Sequence, residues 1–325
     1  MKVSVLIPVF NQAPYLAECL DSVLAQDFYD LEILVADEGS TDGTQEIIRQ
    51  FAARDPRIRW WQNPHRLGLA QNHNACLRAA QGDFIKFVHS DDKLLEPTAL
   101  SRMVALMDRD ATISLVATGA KIIDAGSRDL RRQADEWSTG SYEGKRVIVQ
   151  CLERNGNIIG SPIRTLFRRS QATRGFDERF PQIGDLEMWF HLLEQGKLLY
   201  VAEPWVAYRV HPHQSTASNR DEAARQDEHL LLLTRYGSRP WLDEFASRRM
   251  WFTQIYYLRK QYGERAAELT ARMMKPLRPF WYPLYWLQHK LTQPLLHLCQ
   301  WCGRRLKWFS PNVGLGFAIL GWPDA

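Results

Sequence analysis

The chain has 325 residues, 45% of them hydrophobic and 24% charged, which excludes a disordered or low-complexity protein and allows a sizeable core without disulfide staples. Its formal net charge of +4 is too balanced for a dedicated nucleic-acid binder, and no apolar run approaches the ~20 residues needed to span a bilayer. Five cysteines, scattered except for Cys299 and Cys302, form no disulfide framework and suit a reducing cytosol.

The opening MKVSVLIPVF carries one lysine and no small-residue cleavage site, so it reads as a strand and not as a signal peptide. Val3–Val9 is a continuous apolar run, the pattern of a strand covered on both faces. Pro14 suits a first helical turn, and Leu16, Cys19, Leu20 and Val23 follow at helical spacing. Leu31–Ala36 is a second strand, and the polar stretch Asp37–Thr44 turns into a helix over Gln45–Ala53. Ile58–Trp61, a helix over Gly68–Ala80 and Phe84–Val88 continue the alternation, which implies right-handed βαβ units and a parallel sheet. Residues 111–160 read as short mixed strands and loops. A strand at Arg164–Phe167, a helix from about Asp185 and a strand at Leu198–Val206 follow, and helices take over from about 221.

In such a sheet, ligands bind at the carboxyl ends of the strands. Asn11 follows strand one, Asp37 and Glu38 follow strand two, and His89-Ser90-Asp91-Asp92 follows strand four. Carboxylates gathered at one lip repel each other, and a hard divalent cation with an anionic ligand relieves that repulsion.

The order of these segments resembles the family 2 glycosyltransferases of the nucleotide-diphospho-sugar (GT-A) fold over about residues 1–215. VSVLIPVFN (Val3–Asn11), ADEGSTDGT (Ala36–Thr44), GLAQNHN (Gly68–Asn74), FIKFVHSDD (Phe84–Asp92), GFDERF (Gly175–Phe180), GDLEMW (Gly184–Trp189) and YRVHPHQS (Tyr208–Ser215) carry the likeness. The resemblance implies a Rossmann-like α/β domain over 1–220, with a mixed, mostly parallel sheet flanked by helices, and a helical extension over 221–325. It implies an inverting, metal-dependent transfer of a sugar from a nucleotide-diphospho-sugar to a hydroxyl of a glycan or lipid-linked acceptor.

Residue by residue, the likeness makes Pro8, Phe10 and Asn11 the border of the nucleotide base. Asp37, Glu38, Asn72, Ser90, Asp91 and Arg209 become donor-binding residues, with Arg209 offered to phosphate oxygens. Asp91, with Asp92 and His211, would hold Mg2+ or Mn2+. Asp185 would be the general base; Glu187 would meet the acceptor or stand behind the site, and Trp189 would meet a sugar face of the acceptor or pack in the core. Gly39, Thr41 and Gly43 shape the turn. Four positions depart from the family pattern: His89 and Glu38 each stand where an aspartate is usual, Gln71 where an arginine is frequent, and Gly184 where a glutamate often precedes the base. They leave open a non-catalytic nucleotide-sugar-binding scaffold of the same fold. A nucleotidyltransferase would need a glycine-rich phosphate loop after strand one, which Asn11-Gln12-Ala13-Pro14 does not supply.

No Gln-x-x-Arg-Trp motif of processive synthases is present, so one sugar per encounter is expected, in the context of bacterial surface polysaccharide or lipopolysaccharide. Between Glu268 and Asp324 there is no acidic residue, while Arg, Lys, Trp and Tyr intersperse; this suggests a cytoplasmic enzyme whose tail rests on an anionic membrane surface. Specificity would come from loops such as Ala125–Pro162 and Gln171–Ile183.

Overall fold

The structure, a computed structural model, describes residues 1–133, 137–212, 214, 222–237, 239–242, 250–251 and 287. Two compact units divide the chain, Met1–Ser247 and Arg248–Ala325. The basic aromatic tail lies, except for Leu287, outside the described residues. No helix among the described residues is long and apolar enough to cross a membrane.

The first unit is built on one mixed sheet. Its chain order is β1 (Val3–Val9), α1 (Ala13–Leu24), β2 (Leu31–Asp37), α2 (Thr44–Arg54), β3 (Ile58–Gln62), α3 (Leu69–Ala79), β4 (Phe84–Phe87), β5 (Lys93–Leu94) and α4 (Ala99–Arg109), followed by β6 (Ile113–Ile123), β7 (Asp129–Arg132), β8 (Gly140–Glu143) and α5 (Gly144–Arg154). Then come β9 (Thr165–Arg168), α6 (Gly184–Leu193), β10 (Lys197–Arg209) and α7 (Glu222–Tyr236). The sheet runs β3-β2-β1-β4-β9-β6-β10-β5, with β7 added to β6 and β8 to β10. β1, β2, β3 and β4 pair in parallel, as the alternating pattern predicts.

All seven residues of β1 are buried, which is why its sequence is apolar but for Ser4, whose hydroxyl donates to Glu32 at 2.6 Å. Leu16, Cys19, Leu20 and Val23 of α1 cover it in one core with Leu100, Met103 and Met107 of α4. Since β2 and β3 lie on one side of β1 and β4 on the other, strand order reverses there and leaves a crevice at the carboxyl ends. Pro8 contributes to it. The Val88 N–H donates to the Leu6 carbonyl at 3.0 Å, so even-numbered residues of β1 face β4. The next bond on that side would need an N–H at position 8, which proline lacks. The β1–β4 register accordingly ends at Leu6↔Phe87, while β1–β2 pairing continues to Val9↔Asp37.

The expectation of short strands and loops over 111–160 is corrected. Ile113–Ile123 is one eleven-residue strand, and Gly144–Arg154 is a helix burying Val147, Ile148, Cys151 and Leu152. Polar residues such as Thr118 and Lys121 interrupt the apolar reading of β6, yet Thr118 is fully buried inside the sheet. Gly119 permits the close approach of β10, because a Cβ there would meet the Ala202 carbonyl at 2.3 Å. α7 lies within the first unit.

Candidate active site

The loops after β1 and β2 are stapled together. Asn11 adopts φ 51°, a left-handed conformation that asparagine tolerates. Its side-chain oxygen accepts the Thr41 N–H at 2.9 Å, and its own N–H donates to Ser40 Oγ at 2.8 Å. Gly39 and Gly43 also have positive φ, so they shape the turn as expected. Asp37 is fully buried at the end of β2. Its carboxylate accepts Ser40 Oγ at 2.5 Å and Gln45 Nε2 at 2.8 Å, besides the Ser40 N–H. Phe10 is half-buried beneath the Arg66 guanidinium, 4.1 Å from its ring centroid.

Two expected donor contacts are framing residues here. Glu38 Oε1 accepts the N–H groups of Leu67 and Gly68 at 3.0 and 2.8 Å, at the N-terminus of α3 where a negative charge is favoured. Asn72 is buried, donating to the Ala36 carbonyl at 3.2 Å and accepting from Asn63 at 2.9 Å, so it ties α3 to β2.

After β4 the chain turns through His89-Ser90-Asp91-Asp92. Ser90 is buried. His89 is matched by His73 of α3, their Nε2 atoms 3.2 Å apart. Asp91 remains partly open, and its Oδ2 lies 3.1 Å from His211 Nε2. That separation is close to the ~3 Å between adjacent ligands around an ion bonded at about 2.1 Å. An imidazole beside a carboxylate fits Mn2+ better than Mg2+, which prefers oxygen alone. Asp92 does not join this pair. It is 1% exposed, its Oδ1 accepts the Arg209 N–H at 2.8 Å, and burial with the neighbouring Asp91 charge pushes its pKa well up. Among the described residues no group of three or more His, Cys, Asp or Glu gathers to hold a metal.

Arg209 is turned inward rather than toward a ligand. It is 1% exposed, and its guanidinium is engaged by Glu18, Ser127 and backbone carbonyls. The inward turn corrects the expectation of an open phosphate contact.

Asp185 stands in the first turn of α6, partly open to solvent yet closely surrounded by protein. Its Oδ1 accepts the Leu186 N–H at 2.7 Å and its Oδ2 accepts Asn157 Nδ2 at 3.0 Å. Burial outweighs both bonds and raises its pKa to about 6. Asn157 is itself fixed, since its side-chain oxygen accepts the N–H groups of Ile159 and Gly160. The segment after Asn157 continues to Ile163, whose carbonyl accepts the buried Lys86 Nζ of β4. One short segment therefore braces both Asp185 and the strand that leads into the Asp91 loop. Burial lowers the Lys86 pKa to about 7.

The rest of α6 is core, the packing alternative for Trp189 and a placement away from solvent for Glu187. Glu187 and Trp189 are fully buried. Glu187 accepts Arg174 at 2.6 Å and Tyr236 at 3.0 Å and pairs with Arg235, while Trp189 donates to the Gly160 carbonyl at 2.9 Å. α7 covers the Glu187 side of α6, with Arg235 and Tyr236 reaching its carboxylate and the Tyr236 ring edge-on to Phe190. Glu228 of α7 also accepts the N–H groups of Gln182 and Ile183, both at 2.9 Å, just before α6 begins. Asn157, Lys86, His73, Glu18 and Glu228 are absent from the sequence-based site. The Asn155-Gly156-Asn157 turn is the one sequence signal that could have drawn attention to Asn157.

A family model described as Glycosyl transferase family 2 matches residues 4–173. The putative glycosyltransferase EpsE of Bacillus subtilis is 30% identical over 203 residues, covering 60% of this chain and 68% of that protein. Chondroitin synthase of Pasteurella multocida is 26% identical over 231 residues, which are 71% of this chain; the chain spans only 23% of that synthase. Among solved structures, S. aureus TarS residues 1–349 in complex with UDP-GlcNAc superposes with a TM-score of 0.65 at 18% identity, covering 88% of this chain and 78% of that one. At that identity the likeness bears on the fold.

Proposed function

Because this chain belongs to glycosyl transferase family 2, we propose that it transfers one sugar from a nucleotide-diphospho-sugar to a hydroxyl of a glycan or lipid-linked acceptor, with inversion, in the building of a surface polysaccharide. The donor lies in the crevice where β1 and β4 part, with its base between Phe10 and Asp37. Asp91 and His211 would hold Mn2+ or Mg2+, which when bound neutralises charge on the departing nucleoside diphosphate. Asp185 accepts the proton of the acceptor hydroxyl as that oxygen attacks the anomeric carbon and the bond to the diphosphate breaks. The observation that carries this reading is the carboxyl of Asp185, oriented by Asn157 and held near neutral pKa, on a segment braced to the strand that leads into the Asp91 loop. The basic aromatic tail would bring the enzyme to a membrane-borne acceptor.

The test is release of nucleoside diphosphate from UDP-, GDP- and dTDP-sugars with Mn2+ or Mg2+. Activity abolished by EDTA and by Asp91→Asn is the expected result. Donor binding without turnover would instead favour the scaffold reading. The pH profile is a second expected result. A base with its pKa at about 6 is ionised above that value, so the rate at saturating donor holds through neutral pH. It falls roughly tenfold per pH unit below about 6 as the carboxyl protonates. A profile flat down to the ordinary aspartate range would remove Asp185 from the role.

A further inference from the structure

Arg209 ties four separate segments together. Its Nε donates to the Asp91 carbonyl at 2.6 Å, and its backbone N–H donates to Asp92 Oδ1 at 2.8 Å. Nη1 donates to the Asp124 carbonyl at 3.0 Å and to Ser127 Oγ at 2.8 Å, in the turn between β6 and β7. Nη2 donates to Glu18 Oε2 of α1 at 2.5 Å. The guanidinium also lies 4.9 Å from the centroid of the Tyr15 ring, and that ring packs against His211 at 4.6 Å. Glu18 in turn accepts Ser127 Oγ and pairs with Lys93, one residue after Asp92. Burial pushes the Glu18 carboxyl up, but the hydrogen bonds from Lys93 and Ser127 and the charge of Arg209 outweigh it and hold the group down to about 2.

We infer that Glu18 and Arg209 are a positioning pair that sets Asp91 Oδ2 against His211 Nε2 for a divalent cation, and that Arg209 acts through the Asp91 loop without touching the donor phosphates. The inference rests on the metal reading above. Arg209 grips the Asp91 backbone from one side and, through Tyr15, backs the His211 ring from the other. Glu18 supplies the counter-charge that keeps a buried guanidinium in place. An acidic residue could not be a phosphate contact, so Glu18 separates the two readings of Arg209: as a positioning residue Arg209 shares its effects with Glu18, and as a phosphate contact it does not.

The experiment compares the full chain with Glu18→Gln, Arg209→Lys and Ser127→Gly. Mn2+ uptake is read from the EPR signal of the free ion at fixed UDP, and UDP affinity is read separately by calorimetry in EDTA. The glycine variant removes the shared hydroxyl at a position whose φ of 65° glycine accepts, so it keeps the test open if the charge variants fold poorly. Glu18→Gln and Arg209→Lys are expected to weaken Mn2+ binding roughly 10- to 100-fold, the usual effect of losing a residue that orients a ligand. Ser127→Gly should weaken it less, in the same direction, and all three should keep UDP affinity in EDTA near the wild-type value. Unchanged Mn2+ binding in the folded variants would overturn the inference. So would an Arg209→Lys loss of UDP affinity in EDTA that Glu18→Gln does not share. If the wild-type protein takes up no Mn2+ with UDP, GDP or dTDP present, the metal reading itself fails and the inference falls with it.

Discussion

Asp185→Asn is expected to lower turnover by roughly 10²- to 10⁴-fold while leaving donor affinity near the wild-type value. An amide cannot take the proton of an attacking hydroxyl, yet it fills the same space at the start of α6. The change should also abolish the acid limb of the pH profile, because the group that titrates at about 6 is gone. Folding should change little. A carboxyl whose pKa rises on folding favours the protonated form in the folded state, so its ionised form opposes folding as pH rises from the ordinary aspartate value through about 6. Asparagine removes that cost at neutral pH. It also gives up one hydrogen bond, since Asn157 Nδ2 and the Leu186 N–H both donate toward position 185 and an amide has one acceptor oxygen. Steady-state kinetics and thermal melting on the same preparation check both halves. Turnover within a few-fold of wild type would show that the proton goes elsewhere.

The second large effect falls on stability. Glu187→Ala is expected to cost about 3–5 kcal/mol, the usual price of removing one partner from a buried ion pair. Its carboxylate is fully buried, and Arg174, Arg235 and Tyr236 all point at it. Alanine would leave the Arg174 guanidinium beside a cavity without its counter-charge and Arg235 with Asp177 alone. In a unit of this size that corresponds to a fall in melting temperature of roughly 6–20 °C. Glu187→Gln keeps the shape and one acceptor, so a smaller fall is expected. Thermal melts of the two variants decide between this structural anchor and an acceptor contact, because loss of an acceptor contact would raise KM and leave the melt unchanged.

Glu187 also illustrates how far the sequence could be read. A charged residue in the run Gly184-Asp185-Leu186-Glu187-Met188-Trp189 looks like a solvent-facing position, and the family likeness invites an acceptor role. Its burial depends on Arg235 and Tyr236, nearly fifty residues later on α7, and no local pattern announces that they fold back. Arg209 is the same case at greater range. Its partner Glu18 lies 191 residues away, and its cationic side chain is equally suited by composition to a phosphate or to an internal carboxylate. Asp92 differs from Asp91 in neither residue type nor neighbourhood. The backbone N–H of Arg209 and the burial of Asp92 separate the two, leaving Asp91 partly open beside the buried His211.

The amino-acid sequence alone determined the alternation of strands and helices through β4, the parallel pairing that follows from it, and the arrival of Asn11, Asp37, Asp91 and Asp185 at element ends where ligands bind. Those features are local: apolar periodicity and turn chemistry act over a few residues, and sheet handedness then places the strand ends. The tertiary structure alone decided which polar side chains are consumed inside, with Arg209, Glu187 and Asp92 turned inward, while Asp91 and Asp185 stay partly open and Asp91 meets the buried His211. The physical reason is that a buried charge must find its partner, and here the partners come from segments that meet only once the chain has folded.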